Sequence, residues 1–185
     1  MSLHKTLMSV ALVAALLTGG ANAAEPMKLT PMDYIEIEQL NAKYAFAIDT
    51  CTNNGKDYAD LYTEDGEFGV SEEWGKSSGG RIFAKGHEAL AKAAGGSPNG
   101  CVDPKTMMGF GIHHIVVNLV ITPTATGAVG RSKLLALGVG GNPTTIEQQG
   151  GYEDVYVKTK AGWRFKTRFH VFPNMANSVQ FGKKP

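Results

Sequence analysis

From residue 111 onward the chain is a run of four extended, apolar-rich segments, each closed by turn-forming residues. The segments are IHHIVVNLVIT, TGAVGRSKLLALGV, EQQGGYEDVYVKT and GWRFKTRFHVF, separated by PTAT, GGNPTT and KAG. Pro, Asn, Gly and small polar residues at such breaks reverse the chain between strands. The pattern predicts an antiparallel meander. A sheet of that kind must bury one face against another layer.

The preceding residues supply that layer. TPMDYIEIEQLNAKYAFAIDT predicts a helix. Thr30 can cap it, Pro31 suits its first position, and Asp33 and Glu36 suit its N-terminal dipole. Ile37, Leu40, Tyr44 and Ile48 recur at helical spacing and give it one apolar face. YADLYTE predicts a second, short helix ending at EDG. GEFGVS and GRIFA predict two short strands across a Gly/Ser-rich turn. GHEALAKAAGG predicts a third helix stopped by Gly95 and Gly96. No repeat, low-complexity tract or second domain interrupts the order. The expected fold is therefore α+β: a curved, cone-shaped antiparallel sheet, covered by the N-terminal helices and enclosing a pocket.

Residues 1–23, MSLHKTLMSVALVAALLTGGANA, read as a signal peptide: a basic start, an apolar stretch and an ANA cleavage signature. The apolar stretch is shorter than the ~20 residues of a membrane span. With no Cys at the cleavage point, no lipid anchor is expected. Residues 24–185 then form a single exported domain, periplasmic or secreted. The formal charge is +1, and loss of Lys5 brings it near zero. A nucleic-acid partner calls for a basic stripe, and the terminal GKKP reads as a solvated tail. Export permits a bridge between Cys51 and Cys101; two free thiols are the other reading. There is no CxxC, HxxxH or HExxH, so no metal site is expected. GFG and GVGG lack the spacing and context of a phosphate loop.

The stretches LNAKYAFAIDT, DLYTEDGEF, GHEALAK, HHIVVNLVI and GGYEDVYVKTKAGWRFKTR, in that order, resemble the SnoaL-like branch of the nuclear transport factor 2-like superfamily. The resemblance covers nearly all of residues 24–185 and implies the cone and its pocket. Members include polyketide cyclases, scytalone dehydratase, steroid isomerase-like enzymes, small subunits of ring-hydroxylating dioxygenases, and binders without activity. It therefore speaks to a small-molecule pocket more directly than to a reaction.

By resemblance to scytalone dehydratase, Asp49 at the end of the first helix pairs with a pocket histidine on the strand HHIVVN, which here is His114. Strand alternation agrees, placing Ile112, His114, Val116, Asn118 and Val120 inward and His113, Ile115, Val117 and Leu119 outward. A carboxylate on one imidazole nitrogen fixes the tautomer and leaves the other nitrogen for proton transfer. Asn118 is placed to bind a substrate oxygen. Tyr34 or Tyr44 can bring a phenol hydroxyl into the cone. Arg168 either clamps an anionic group or pairs with a structural acid such as Asp154; His170 shares its face. Phe110, with Met107, Met108 and Phe83, forms either an apolar lining or ordinary core. The chain departs from scytalone dehydratase where that enzyme has a second pocket histidine: Ser132 or Lys133 stands there.

The expected function is a lyase, dehydratase or isomerase acting by proton transfer on an apolar, aromatic small molecule without a cofactor. Deformylation of a lignin-derived diarylpropane is one such reaction in SnoaL-like enzymes. The alternative is a periplasmic binding protein using the same pocket without turnover. A subunit of a multicomponent oxygenase is a third reading, which export disfavours. The outward apolar stripe favours a homo-oligomer, dimer or trimer.

Overall fold

The computed structural model describes residues 24–102, 111–139 and 145–172. Phe110, Met107 and Met108, the segment 1–23 and the C-terminal GKKP lie outside the described residues.

Helix α1 runs Pro31–Thr50. Thr30 caps it in a reciprocal box with Asp33, the device that satisfies the free N–H groups of a first turn. Asp33 is buried and also accepts from the Trp163 indole at 2.9 Å and the Lys158 ammonium at 2.5 Å. These donors, Lys158 foremost, hold its carboxyl well below the usual carboxylate range. The cap thereby pins the start of α1 to the last hairpin. A tight turn, Thr52–Gly55, leads to the short α2, Lys56–Ala59.

Strand β1 is Tyr62–Ser71, β2 is Arg81–Lys85, and α3 is His87–Ala93. The meander follows as β3 Gly111–Thr124, β4 Gly127–Val139, β5 Thr145–Thr159 and β6 Gly162–Val171. The six strands make one curved, unclosed sheet in the order β2-β1-β6-β5-β4-β3. The sheet is mixed rather than wholly antiparallel, because β1 runs parallel to β6. YADLYTE does not stay helical either. Leu61 accepts a backbone bond from Phe165 at 2.9 Å, and Tyr62 pairs with Phe165. That pairing ends the helix and starts β1 earlier than local propensity predicts.

The face of α1 carrying Ile37, Leu40, Tyr44 and Ala47 packs on one side of the sheet with Tyr58, Tyr62, Leu90, Tyr152, Tyr156 and Phe165. Cys51 and Cys101, 50 positions apart, are joined by a disulfide with Cα atoms 6.0 Å apart.

One feature of β3 corrects the alternation. Its pairing with β4 slips between Val117 and Val120, where Asn118 and Leu119 together face Ser132. Asn118 sits at φ 56, a left-handed position that Asn tolerates better than most residues. A bulge of this kind adds one residue and swaps the faces beyond it. Ile112, His114 and Val116 are inward as expected. Past the bulge, Leu119 and Ile121 pack toward the core, while Asn118 and Val120 are exposed.

Candidate active site

Asp49 occupies the last turn of α1, and His114 lies near the start of β3, its ring on the helix-covered face. The Asp49 carboxylate takes both of its bonds from this one residue. Oδ1 is 2.5 Å from His114 Nδ1, and Oδ2 accepts from the His114 backbone N–H at 2.9 Å. An ionised carboxylate only accepts, so Nδ1 must donate and Nε2 is left as the basic nitrogen. The side chains of Asp49 and His114 are 8% and 15% exposed. His113 points the other way and is 59% exposed, with Nδ1 3.6 Å from Asp49 Oδ2. Of the adjacent pair, His114 is therefore the inner histidine.

Beside this pair is a cavity of about 220 Å³. Tyr44, Ile48, Phe68, Ile112, Tyr152 and His170 line much of it. Tyr44 and Tyr152 hydrogen bond through their hydroxyls at 3.0 Å, and the Tyr44 ring stands edge-on to His114. Burial raises both phenols above their ordinary range, so they serve as neutral donors. Among the described residues no group of three or more His, Cys, Asp or Glu is arranged to hold a metal ion.

A larger hollow, about 760 Å³, lies over the outward residues Val129, Arg131, Glu153 and Val155. Its charged lining groups are all paired: Arg131 with Glu153 at 2.6 Å, Glu67 with Lys85 at 2.9 Å, and Asp154 with Arg168 at 3.6 Å. Among the described residues it holds no acid–base pair poised as Asp49 and His114 are, so the smaller cavity is the candidate site.

The other expected residues separate. Tyr44 is in the wall. Tyr34 is exposed and outside it. Tyr34 precedes Asp49 by 15 positions, which is about 22 Å along a helix. Asn118 is turned to solvent by the bulge. Arg168 is wholly buried but does not line the cavity. Its guanidinium lies 3.9 Å from the Tyr44 ring and 3.8 Å from Tyr152. It donates to Asn41 at 3.0 Å and lies 3.6 Å from Asp154. Of its two readings, the structure shows the pairing with Asp154.

Among the lining residues that sequence reasoning did not single out as parts of the pocket wall are Tyr152 and His170. Tyr152 arrives from β5, where alternation with Asp154 and Tyr156 was the available signal. His170 arrives from β6, two positions after Arg168 and on the same face. It is 4% exposed, with Nε2 lacking a hydrogen-bond partner. Burial, and then the charges of His114 and Arg168, push its pKa down to about 4.

His170 has a consequence for stability. Between its ordinary 6.5 and about 4, the unfolded chain binds a proton there that the folded chain refuses. Falling pH through that window therefore destabilises the fold through this group. Asp154 acts oppositely, since burial pushes its pKa from 3.8 up to about 6 and the folded state takes its proton first. His170→Phe should leave Asp154 unopposed. Its urea midpoint should hold better than the wild type's between pH 7 and pH 4.5; parallel losses in the two proteins would refute this.

A SnoaL-like domain model matches residues 32–169. The chain belongs to the SnoaL-like domain family. Among solved structures, it is similar to a nuclear transport factor 2-like protein with a cystatin-like fold from Novosphingobium aromaticivorans. The two share 22% identity with a TM-score of 0.62, over 80% of this chain and 85% of that one. A protein of unknown function from Mycobacterium tuberculosis has 23% identity and a TM-score of 0.60, over 76% of each chain. A provisionally named scytalone dehydratase from N. aromaticivorans has 25% identity and a TM-score of 0.53, over 75% of this chain and 82% of that one. No curated protein matches. Membership of the SnoaL-like family points to small-molecule catalysis or binding.

Proposed function

We propose that this SnoaL-like protein is a lyase, dehydratase or isomerase that moves a proton on an apolar, aromatic small molecule without a cofactor. The observation that carries this reading is the pair of hydrogen bonds that the ring and backbone N–H of His114 donate to Asp49 beside an aromatic-lined cavity. In a dehydration, His114 Nε2 takes a proton from the carbon next to an activating group. The C–O bond on the neighbouring carbon breaks, and the proton on His114 goes to the departing hydroxide as water. Asp49 stabilises the imidazolium between the two steps. Of the Tyr44 and Tyr152 hydroxyls, one donates to the other and the remaining proton is free to donate to the substrate oxygen on which charge develops.

Cavity size narrows the substrate. About 220 Å³ is below the ~300–1,000 Å³ of drug-sized sites, so a one-ring compound fills it. A two-ring diarylpropane undergoing deformylation would extend beyond the mouth. The test is incubation with a panel of one-ring and two-ring hydroxylated aromatics, read by mass spectrometry. Conversion of a one-ring compound supports the reading. Saturable binding with no conversion anywhere in the panel would favour a binding protein instead.

Two further proposals concern the molecule around the site. The first is that residues 1–23 are removed on export to the periplasm or beyond. N-terminal sequencing of exported protein should start near Ala24; a full-length product retained in the cytoplasm would contradict it. The second is a homo-oligomer formed through the outward sheet face. Ile115, Val117, Val120, Val129, Leu135 and Val155 are all 38% or more exposed there, and contiguous apolar surface of this kind marks an interface. Light scattering should give a dimer or trimer at micromolar concentration, and Val120→Glu should shift it toward monomer. A monomeric wild type would refute it.

A further inference from the structure

The end of α1 is tied to the loop behind α3 at several points, and some of the tied residues line the cavity. The Cys51–Cys101 bridge is one. Asn54 makes a second: its Nδ2 donates to the Ser97 carbonyl at 2.9 Å, and its Oδ1 accepts from the Ser97 N–H at 3.1 Å. The backbones are also pressed together. A Cβ on Gly55 would lie 2.2 Å from the Ala91 carbonyl oxygen, and one on Gly96 would lie 2.3 Å from the Asn54 oxygen. Val102 donates back to Gly95 at 2.8 Å. Cys51, Ala94, Gly95 and Val102 all line the cavity.

Asp49 stands two residues before the bridge. Cys51, Asn53, Asn54 and Gly55 all have left-handed backbones, at φ 50, 50, 57 and 77. Non-glycine residues keep that conformation only where the surroundings impose it. The ties to residues 91–102 are made at these positions, directly after the last turn of α1 that carries Asp49.

We propose that the Cys51–Cys101 bridge is a positioning element for the Asp49–His114 pair, and that its reduction by a dithiol slackens the site. Cys101 is the more exposed residue of the two and Cys51 is buried, so attack is directed at the Cys101 sulfur. A thiolate of the dithiol attacks it and the S–S bond breaks. The second thiol of the reductant then closes onto the mixed disulfide. Overall the two cysteines gain two electrons and two protons, and the dithiol leaves as a cyclic disulfide.

This inference rests on the reading of Asp49 and His114 as the working pair. Its readout is their hydrogen bond and not turnover, so the two can fail separately. The His114 Nδ1 proton, held in a 2.5 Å bond, should give a far-downfield proton resonance, assigned by its loss in His114→Gln. Dithiothreitol should move or abolish that resonance while far-UV circular dichroism is kept, and reoxidation should restore it. Asn54→Ala, which cuts the second tie with the bridge intact, should shift it in the same direction by less. An unchanged resonance in reduced, folded protein overturns the proposal. So does global unfolding on reduction combined with an unchanged resonance in Asn54→Ala.

Discussion

His114→Ala should lower kcat on a confirmed substrate by ~10²–10⁴-fold, the range typical of a lost general acid–base group. The fold should survive, because the ring lies at the cavity wall and is not enclosed by the core. Asp49→Asn should also lower kcat, for two reasons. An amide cannot offset the charge of an imidazolium. It also offers one acceptor oxygen where the carboxylate offers two, so either the ring bond or the backbone bond to His114 is lost. His113→Ala, on the exposed face, should leave kcat within a few-fold of wild type. Steady-state kinetics on the three variants, with circular dichroism as the folding control, checks this. Full activity in a folded His114→Ala would remove proton transfer by His114 from the mechanism.

Arg168→Ala should be the most destabilising single change in the cone. The guanidinium fills the space between Tyr44, Tyr152 and Phe165 and is the partner of Asp154. Without it Asp154 stays buried beside Tyr156, its hydroxyl donor at 2.8 Å, with no positive charge nearby. Breaking a buried pair from one side costs about 3–5 kcal/mol. Part of this is recoverable by protonating Asp154, whose pKa burial already pushes up to about 6. The deficit should therefore be largest at pH 8 and smaller at pH 5. Chemical denaturation at both pH values measures it. A loss under 1 kcal/mol, or one independent of pH, would show that the pair contributes little.

The elements legible in the sequence were those with strong local signals. Thr30, Pro31 and Asp33 announced the start of α1, and Gly95 and Gly96 marked the end of α3. The four meander strands were readable because turn residues interrupt an apolar pattern. What failed depended on distant partners. Tyr62 looked helical beside Tyr58 and became a strand because β6 pairs with it. The face of Asn118 could not be read by alternation, since a bulge shows itself only against the register of β4. Even so, an Asn inside an apolar strand was a usable hint.

The candidate site divides along the same line. Asp49 and His114 were found together because a family resemblance linked two stretches 65 residues apart. Tyr152 and His170 enter from the last two strands; Tyr152 lies in the stretch GGYEDVYVKTKAGWRFKTR and His170 just past it, but neither carried an assigned role there. Placing them takes the closure of β6 onto β1, which brings the end of the meander back beside α1. Tyr34 shared the aromatic character of Tyr44 but not its distance along the helix from Asp49. Arg168 carried the right chemistry for a ligand clamp, yet its buried neighbours claim it.

The central claim is that His114, oriented by Asp49, exchanges a proton with the bound molecule. Incubation of wild type, His113→Ala and His114→Ala with the substrate in D₂O, followed by NMR of the recovered substrate and product, tests it most directly. The wild type and His113→Ala should label the recovered substrate at the carbon from which His114 Nε2 takes its proton, by return of a solvent deuteron before the C–O bond breaks, and His114→Ala should incorporate at least ~10²-fold more slowly. Equal incorporation by His114→Ala and wild type, or its loss in His113→Ala alone, would contradict the claim.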